Sequence, residues 1–282
     1  MNPTKESAAD GARVLFVDTH VHIYPVFSLD ALLDAAVENF ARAARALGLA
    51  ETPRDGMLLL TETVNDHAFE ALASGELRPG RWQVAATAEP AVLRLTHDKH
   101  ALWLVAGRQI ATREDLEVLA LGAAARFPDG EPFESSIAEV DQAAALTALP
   151  WGFGKWWGAR GQIIDRVMRA PRARPLYLGD NGGRLALSTR PQLLNRGESL
   201  GLKVLPGTDP LPFSGQESRV GTFGMLLRGW DPEEKPLAQF ARRLRELPRS
   251  PTQFGSLTGI APFVRLQIAM QMRKRARRGA PS

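Results

Sequence analysis

The chain has 282 residues, 44% of them hydrophobic, with no cysteine and a formal net charge of +4. That length fits one large domain or two small ones with a sizeable core, and the lack of cysteine excludes disulfides, thiolate ligands and a cysteine nucleophile. Residues 265–282 carry Arg265, Arg273, Lys274, Arg275, Arg277 and Arg278 and no acid, so the preceding residues sum to −2. The body is near neutral and the basicity is a tail, which argues against a DNA-binding body. No nucleic-acid partner is expected.

In chain order, "MNPTKESAADGAR" is polar and lacks the apolar stretch of a secretory signal. Residues 1–12 read as a loose, disordered arm. "RVLFVDTHV" is a continuous apolar run, as a strand buried on both faces requires. Ser28 then opens a helix, "SLDALLDAAVENFARAARALG", whose apolar positions recur every three or four residues up to Gly48. "GMLLLTETV" is a strand and "HAFEALASGEL" a short helix. "RWQVAATAEP", "ALWLVAGRQIAT" and "EDLEVLALG" are three runs with short links, two of which fit an antiparallel excursion around the turn "THDKH". "DGEPFESSIAEVDQAAALTA" reads as a helix, "LPWGFGKWWGARG" as a loop and "GQIIDRVMRA" as another helix. "RPLYLGDNGGR" and "GLKVLPGTDPLP" are strands running into polar loops. "PLAQFARRLREL" and "FVRLQIAMQMRKRARR" close the chain as helices. No apolar window is long enough for a membrane span, and the missing cysteines favour a cytoplasmic location.

Strands alternating with helices favour a parallel α/β architecture. Some seven or eight strands end in loops carrying His20, Glu62, Gln109, Lys155, Asp180 and Asp209. Polar residues at carboxyl ends of strands are where α/β barrels place their sites.

His20 and His22 are two of five histidines. Side chains i and i+2 of a strand share a face, so both imidazoles can meet one metal ion, with Asp18 on the same face further back. The alternative is a pair of hydrogen-bonded histidines at a strand end. Asp209 follows an apolar strand; it can ligate a metal or take a proton, or simply cap a turn before Pro210. "PWGFGKWWGARG" places Lys155 and Arg160 among tryptophans and glycines, and "GDNGGR" places Asp180, Asn181 and Arg184 on a glycine-rich loop. Cations with exposed backbone N–H groups suit a phosphate or carboxylate. The alternative is packing tryptophans and solvated charges.

Together, the early D-x-H-x-H strand and the late T-D strand resemble the metal-dependent hydrolases of the PHP (polymerase and histidinol phosphatase) and amidohydrolase type. "LVAGRQIATREDLEVLALG" resembles the PHP stretch in which a G-x-E strand precedes a strand with a metal-site histidine. "LPGTDPLPFSGQESRVGTFG" resembles the closing S-D-x-H segment. The resemblance covers roughly residues 13–225. It implies an α/β fold of the distorted TIM-like (β/α) barrel kind, PHP-like. It also implies metal ligation by His20, His22 and Asp209, with Asp209 binding the metal or acting as general base; Glu62, at the end of the second strand, could supply one more ligand. Four departures stand out. Gln109 occupies the glutamate position and Glu117 or a neighbour the following histidine position; the "PWGFGKWW" loop has no histidine, and Leu211 replaces the last one.

The expected domain division is the arm 1–12, one barrel-like domain 13–262 and a basic helix or tail 263–282. The expected activity is metal-dependent hydrolysis, of phosphoesterase or amidohydrolase type, of a phosphorylated or otherwise anionic small molecule. Lys155, Arg160, Asp180, Asn181 and Arg184 would hold that substrate. The reduced ligand set allows at most one divalent ion: zinc, manganese or iron. The alternative is a degenerate PHP-like protein without metal, acting as a ligand-binding or regulatory module. The tail could make a weak contact with a membrane surface or an acidic partner, although packing as a last helix is the favoured reading.

Overall fold

The computed structural model describes residues 13–259 and 263–264; the expectations for the arm 1–12 and the basic tail from 265 onward lie outside them. β1 (Val14–Val21) leads into α1 (Leu29–Ala46), where the Ser28 side chain accepts the Ala31 N–H, and then β2 (Arg54–Leu60). After α2 (Ala68–Ser74) come β3 (Gln83–Ala86), β4 (Val92–His97) and β5 (His100–Val105). β4 and β5 form the antiparallel excursion, with His97 opposite His100. β6 (Gly107–Ala111), β7 (Glu117–Leu121), α3 (Phe133–Gln142), β8 (Leu146–Pro150), α4 (Ala159–Arg169) and β9 (Leu176–Asn181) follow. The chain continues with α5 (Gln192–Ser199), β10 (Lys203–Gly207), a 3-10 helix (Gln216–Arg219), β11 (Phe223–Arg228), α6 (Pro236–Glu246) and β12 (Thr252–Gly255).

These strands make two mixed sheets, of order β12-β11-β1-β2-β5-β4-β3 and β10-β9-β8-β7-β6. The α/β class holds, but the TIM-like barrel does not: among the described residues no closed barrel forms. Two features keep the sheets separate. At one seam β10 lies beside β1, but Pro206 has no N–H to give, and its carbonyl accepts the Thr19 hydroxyl at 3.0 Å instead of a backbone amide. At the other seam the single run "ALWLVAGRQIAT" divides into β5 and β6, which belong to different sheets. Only the isolated bridge Glu62–Arg108 joins β6 to the end of β2 there.

Packing follows strand alternation. Val14 and Phe16 of β1 join Leu32, Leu33 and Phe40 of α1 outside the seven-stranded sheet. Leu15 and Val17 point the other way, into a core between the sheets with Met57, Leu59, Leu119, Tyr177 and Leu205; Phe240 and Leu244 of α6 cap it. A third cluster packs α3, α4 and α5 on the outside of the five-stranded sheet, through Phe133, Ile137, Ile164 and Leu194. Among the described residues no helix is long and apolar enough to cross a membrane.

Candidate metal centre

The alternation of β1 changes phase near its carboxyl end. Its parallel register with β2 shifts between Asp18 and Val21. Before the shift, odd-numbered Leu15 and Val17 face the core between the sheets. After it, odd-numbered Val21 and Ile23 join the helix-facing cluster. A one-residue irregularity swaps the faces of everything beyond it, so His20 and His22 turn inward over the inter-sheet core. Both are buried.

Asp18 consequently does not share their face. Its carboxylate accepts the N–H groups of Thr208 at 2.9 Å, Gly221 at 2.9 Å and His20 at 3.3 Å, and the Thr208 hydroxyl at 2.5 Å. Burial pushes its pKa up to about 6 against these bonds. Asp18 is a bracket tying β1 to the segments on either side of the 3-10 helix.

The bracket brings the end of β10 against β1. The Asp209 N–H donates to the His20 carbonyl at 2.8 Å. Gly207 permits the approach, because a Cβ there would lie 2.4 Å from the His20 nitrogen. Asp209 itself has a positive φ of 48°, a conformation that aspartate tolerates better than most residues. Its Oδ1 lies 3.5 Å from Nε2 of both His20 and His22, and the two Nε2 atoms are 3.3 Å apart. The ligand atoms of all three residues fall within 4.8 Å of one another.

The surroundings fix these groups. Tyr24 stacks on His22 with ring centroids 5.1 Å apart. The Thr61 hydroxyl lies 3.3 Å from His22 Nε2. The Asn181 amide donates to Asp209 Oδ2. Gln109 donates from Nε2 to Glu117 at 3.1 Å, which turns its Oε1 toward His20 Nε2 at 3.0 Å, and Lys155 pairs with the same Glu117 oxygen.

Electrostatics favour the metal-binding protonation states. Burial pushes the His20 imidazole below its ordinary value, against the charge of Asp209, which favours the neutral ring. Burial opposes charge on Asp209 too, but His20, His22 and Lys155 hold its carboxyl well below the usual carboxylate range. Neutral imidazole and ionised carboxylate are the ligand forms. The cluster also has more acceptors than donors: two imidazoles, a carboxylate and the Gln109 oxygen converge, while the buried His22 Nδ1 has no partner among the described residues. Such a set fits a small divalent cation.

Other candidates from the sequence sit around this centre rather than in it. Glu62 is buried, accepts the Phe69 N–H at 2.7 Å and pairs with Arg108 at 3.0 Å. Burial raises its pKa against both partners, and it is not among the converging ligands. Arg184 is bound to Asp180 through two bonds, of 3.0 and 2.9 Å, both residues buried. Arg160, in the first turn of α4, donates to the Gly154 carbonyl of the preceding loop at 2.9 Å. Asn181 reaches the centre, and Lys155 reaches it through Glu117 and Gln109. Sequence reasoning passed over Arg219, whose guanidinium feels the charges of Asp209 and Asp18; no spacing signal marks a residue ending a 3-10 helix.

No family model and no curated protein matches the chain. Among solved structures it resembles PsfC from Pseudomonas syringae PB-5123, with a TM-score of 0.53 and 17% identity over 94% of this chain and 99% of that one. That likeness shows a shared fold. Weaker likenesses are to Endonuclease Q in complex with a 27-mer duplex substrate bearing an abasic lesion (TM-score 0.47, 9% identity, 83% of this chain, 57% of that chain). The lesion-specific endonuclease PfuEndoQ from Pyrococcus furiosus is similar at 0.48 and 9%, over 81% of this chain and 55% of that chain. The exclusion of nucleic acid from the partners is therefore corrected: one resembling chain was solved on duplex DNA. Net charge is a poor guide to a local site in any case, because Lys155 and Arg219 act on Asp209 whatever the total.

Proposed function

We propose that the chain is a metal-dependent hydrolase acting on an anionic small molecule, such as a phosphorylated one, with one divalent ion held by His20, His22 and Asp209. The observation that carries this reading is the convergence of three ligand atoms within 4.8 Å, two of them from buried imidazoles. Zinc, manganese and iron all suit this mixed nitrogen and oxygen set. A bound ion would supply Lewis acidity and lower the pKa of water.

The chain's own residues supply the rest. Asp209, partly exposed, is the carboxylate able to accept a proton at the mouth, with Asn181 holding its second oxygen. Gln109, oriented by Glu117, offers a neutral oxygen beside His20. Lys155 supplies positive charge next to the centre. Arg184 and Asp180 form a scaffold for the loop that carries Asn181.

The test is elemental analysis of full-length protein purified without chelator, beside the His20→Ala, His22→Ala double variant. About one equivalent of metal in the wild type and none in the variant is expected, with metal-dependent hydrolysis of p-nitrophenyl phosphate in the wild type alone. Two or more equivalents would overturn the single-ion assignment. No metal under any loading condition would leave a ligand-binding module as the surviving reading.

A further inference from the structure

The two buried arginines among the described residues each face a carboxylate: Arg108 meets Glu62 at 3.0 Å and Arg184 meets Asp180 at 2.9 Å. Arg219 does not. It is partly buried at the end of the 3-10 helix Gln216–Arg219. Its Nη2 donates to the Gly182 carbonyl at 3.1 Å and to Thr258 Oγ1 at 3.0 Å. Thr258 Oγ1 in turn donates to the same carbonyl at 2.8 Å. Among the described residues Arg219 forms no ion pair, and its Nε and Nη1 protons have no protein acceptor. Asp209 and Asp18 act on it only from a distance.

The two anchoring bonds register this guanidinium to the centre. Gly182 follows Asn181, which donates to Asp209, and the Gly182 N–H itself donates to the Gly207 carbonyl at 2.8 Å. One loop therefore positions both the carboxylate of the centre and the free edge of Arg219. The two nearby carboxylates are already engaged: Asp18 has its four donors, and Asp209 has two imidazoles and Asn181. A partly desolvated cation without a counter-charge is unfavourable in the resting protein. An oxyanion arriving beside the centre would relieve that cost, and a guanidinium edge with N–H groups to spare is the geometry that grips one.

We propose that Arg219 anchors the oxyanion of the ligand, a phosphate, phosphonate or carboxylate group, beside His20, His22 and Asp209. Calling that ligand a substrate rests on the hydrolase reading; the anion site itself does not.

The test uses metal-stripped full-length protein in chelator, titrated calorimetrically with inorganic phosphate and separately with acetate. Saturable binding of at least one anion by the wild type is expected, and the preferred anion distinguishes a phosphate-type from a carboxylate ligand. Arg219→Gln should weaken it by about tenfold or more, the scale of a lost charge-assisted contact. Arg219→Lys should rescue only part, because an ammonium cannot keep the fork. The surface variant Arg166→Gln should match the wild type. Wild-type affinity in a folded Arg219→Gln protein would overturn the proposal, as would absence of saturable binding of either anion to the wild type. Should Arg219→Gln fail to fold, the wild-type Arg219 Nε resonance must shift on addition of the anion; an unmoved resonance overturns the proposal equally. Because no metal is present, failure here is distinct from failure of the metal assignment.

Discussion

At the scale of single residues, Asp209 combines two demands that rarely coincide. Its backbone holds a positive φ of 48°, and its carboxylate converges with His20 and His22 in a group that could hold a metal ion. The two can be separated by substitution. Asp209→Asn keeps a side chain tolerant of that backbone and is expected to melt within a few degrees of the wild type. It is also expected to lose most bound metal, because the amide nitrogen must face either Asn181 or the imidazoles. Asp209→Ala should lose metal and stability together, by about 1 kcal/mol or more from backbone strain. Thermal melts with metal analysis check both; full metal retention by the asparagine variant would remove Asp209 from the ligand set. His20, His22 and Asp209 were legible in the sequence because strand spacing and strand-end position are local signals. Arg219 and the orientation of Gln109 were not, since both depend on contacts between segments far apart in the chain.

At the scale of elements, the centre depends on how closely β10 can approach β1. Gly207 has no side chain, and a Cβ there would meet the His20 backbone nitrogen at 2.4 Å and its Cβ at 2.5 Å. Neither atom is the end of a flexible side chain, so the strands themselves would have to part. Gly207→Ala is expected to destabilise by about 1–3 kcal/mol, the usual cost of overpacking. It should also weaken metal binding, because Asp209 hangs from the His20 carbonyl two residues further on. A melting curve and a metal titration on the same sample decide it. Unchanged values in both would mean that the seam is slack. Most long elements were readable from periodicity, α1 with its Ser28 cap above all. β8 was not: "AAALTALP" continues the alanine-rich helix pattern, and the break comes from Ala144 at a φ of 59°. α5, β11 and β12 were missed as well. Their short runs carry little pattern of their own, and β11 and β12 gain their place by antiparallel pairing, β11 on β1 and β12 on β11.

At the scale of the whole molecule, the order of strands and helices suggested a closed barrel, and the seams decided against it. Pro206 at one side and the split at Gly107 on the other are single-residue features that strand counting does not register. What holds the two sheets together is then the core between them rather than a continuous ladder. Phe240 of α6 is fully buried in that core, beside Leu15 and Met57 from one sheet and Tyr177 and Leu205 from the other. If this shared core makes residues 13–262 one folding unit, as the sequence led us to expect, a cavity there must weaken both sheets at once. Phe240→Ala is expected to cost about 3–5 kcal/mol and to leave one transition, with tryptophan fluorescence and far-ultraviolet circular dichroism coinciding. The tryptophans make the comparison sharp: Trp82 lies in the α1-side cluster, Trp103 and Trp230 in the central core and Trp156 in the α4-side cluster. Two separated transitions would show that each sheet folds with its own helices and that the centre, drawn from β1 and β10, assembles only when the two dock.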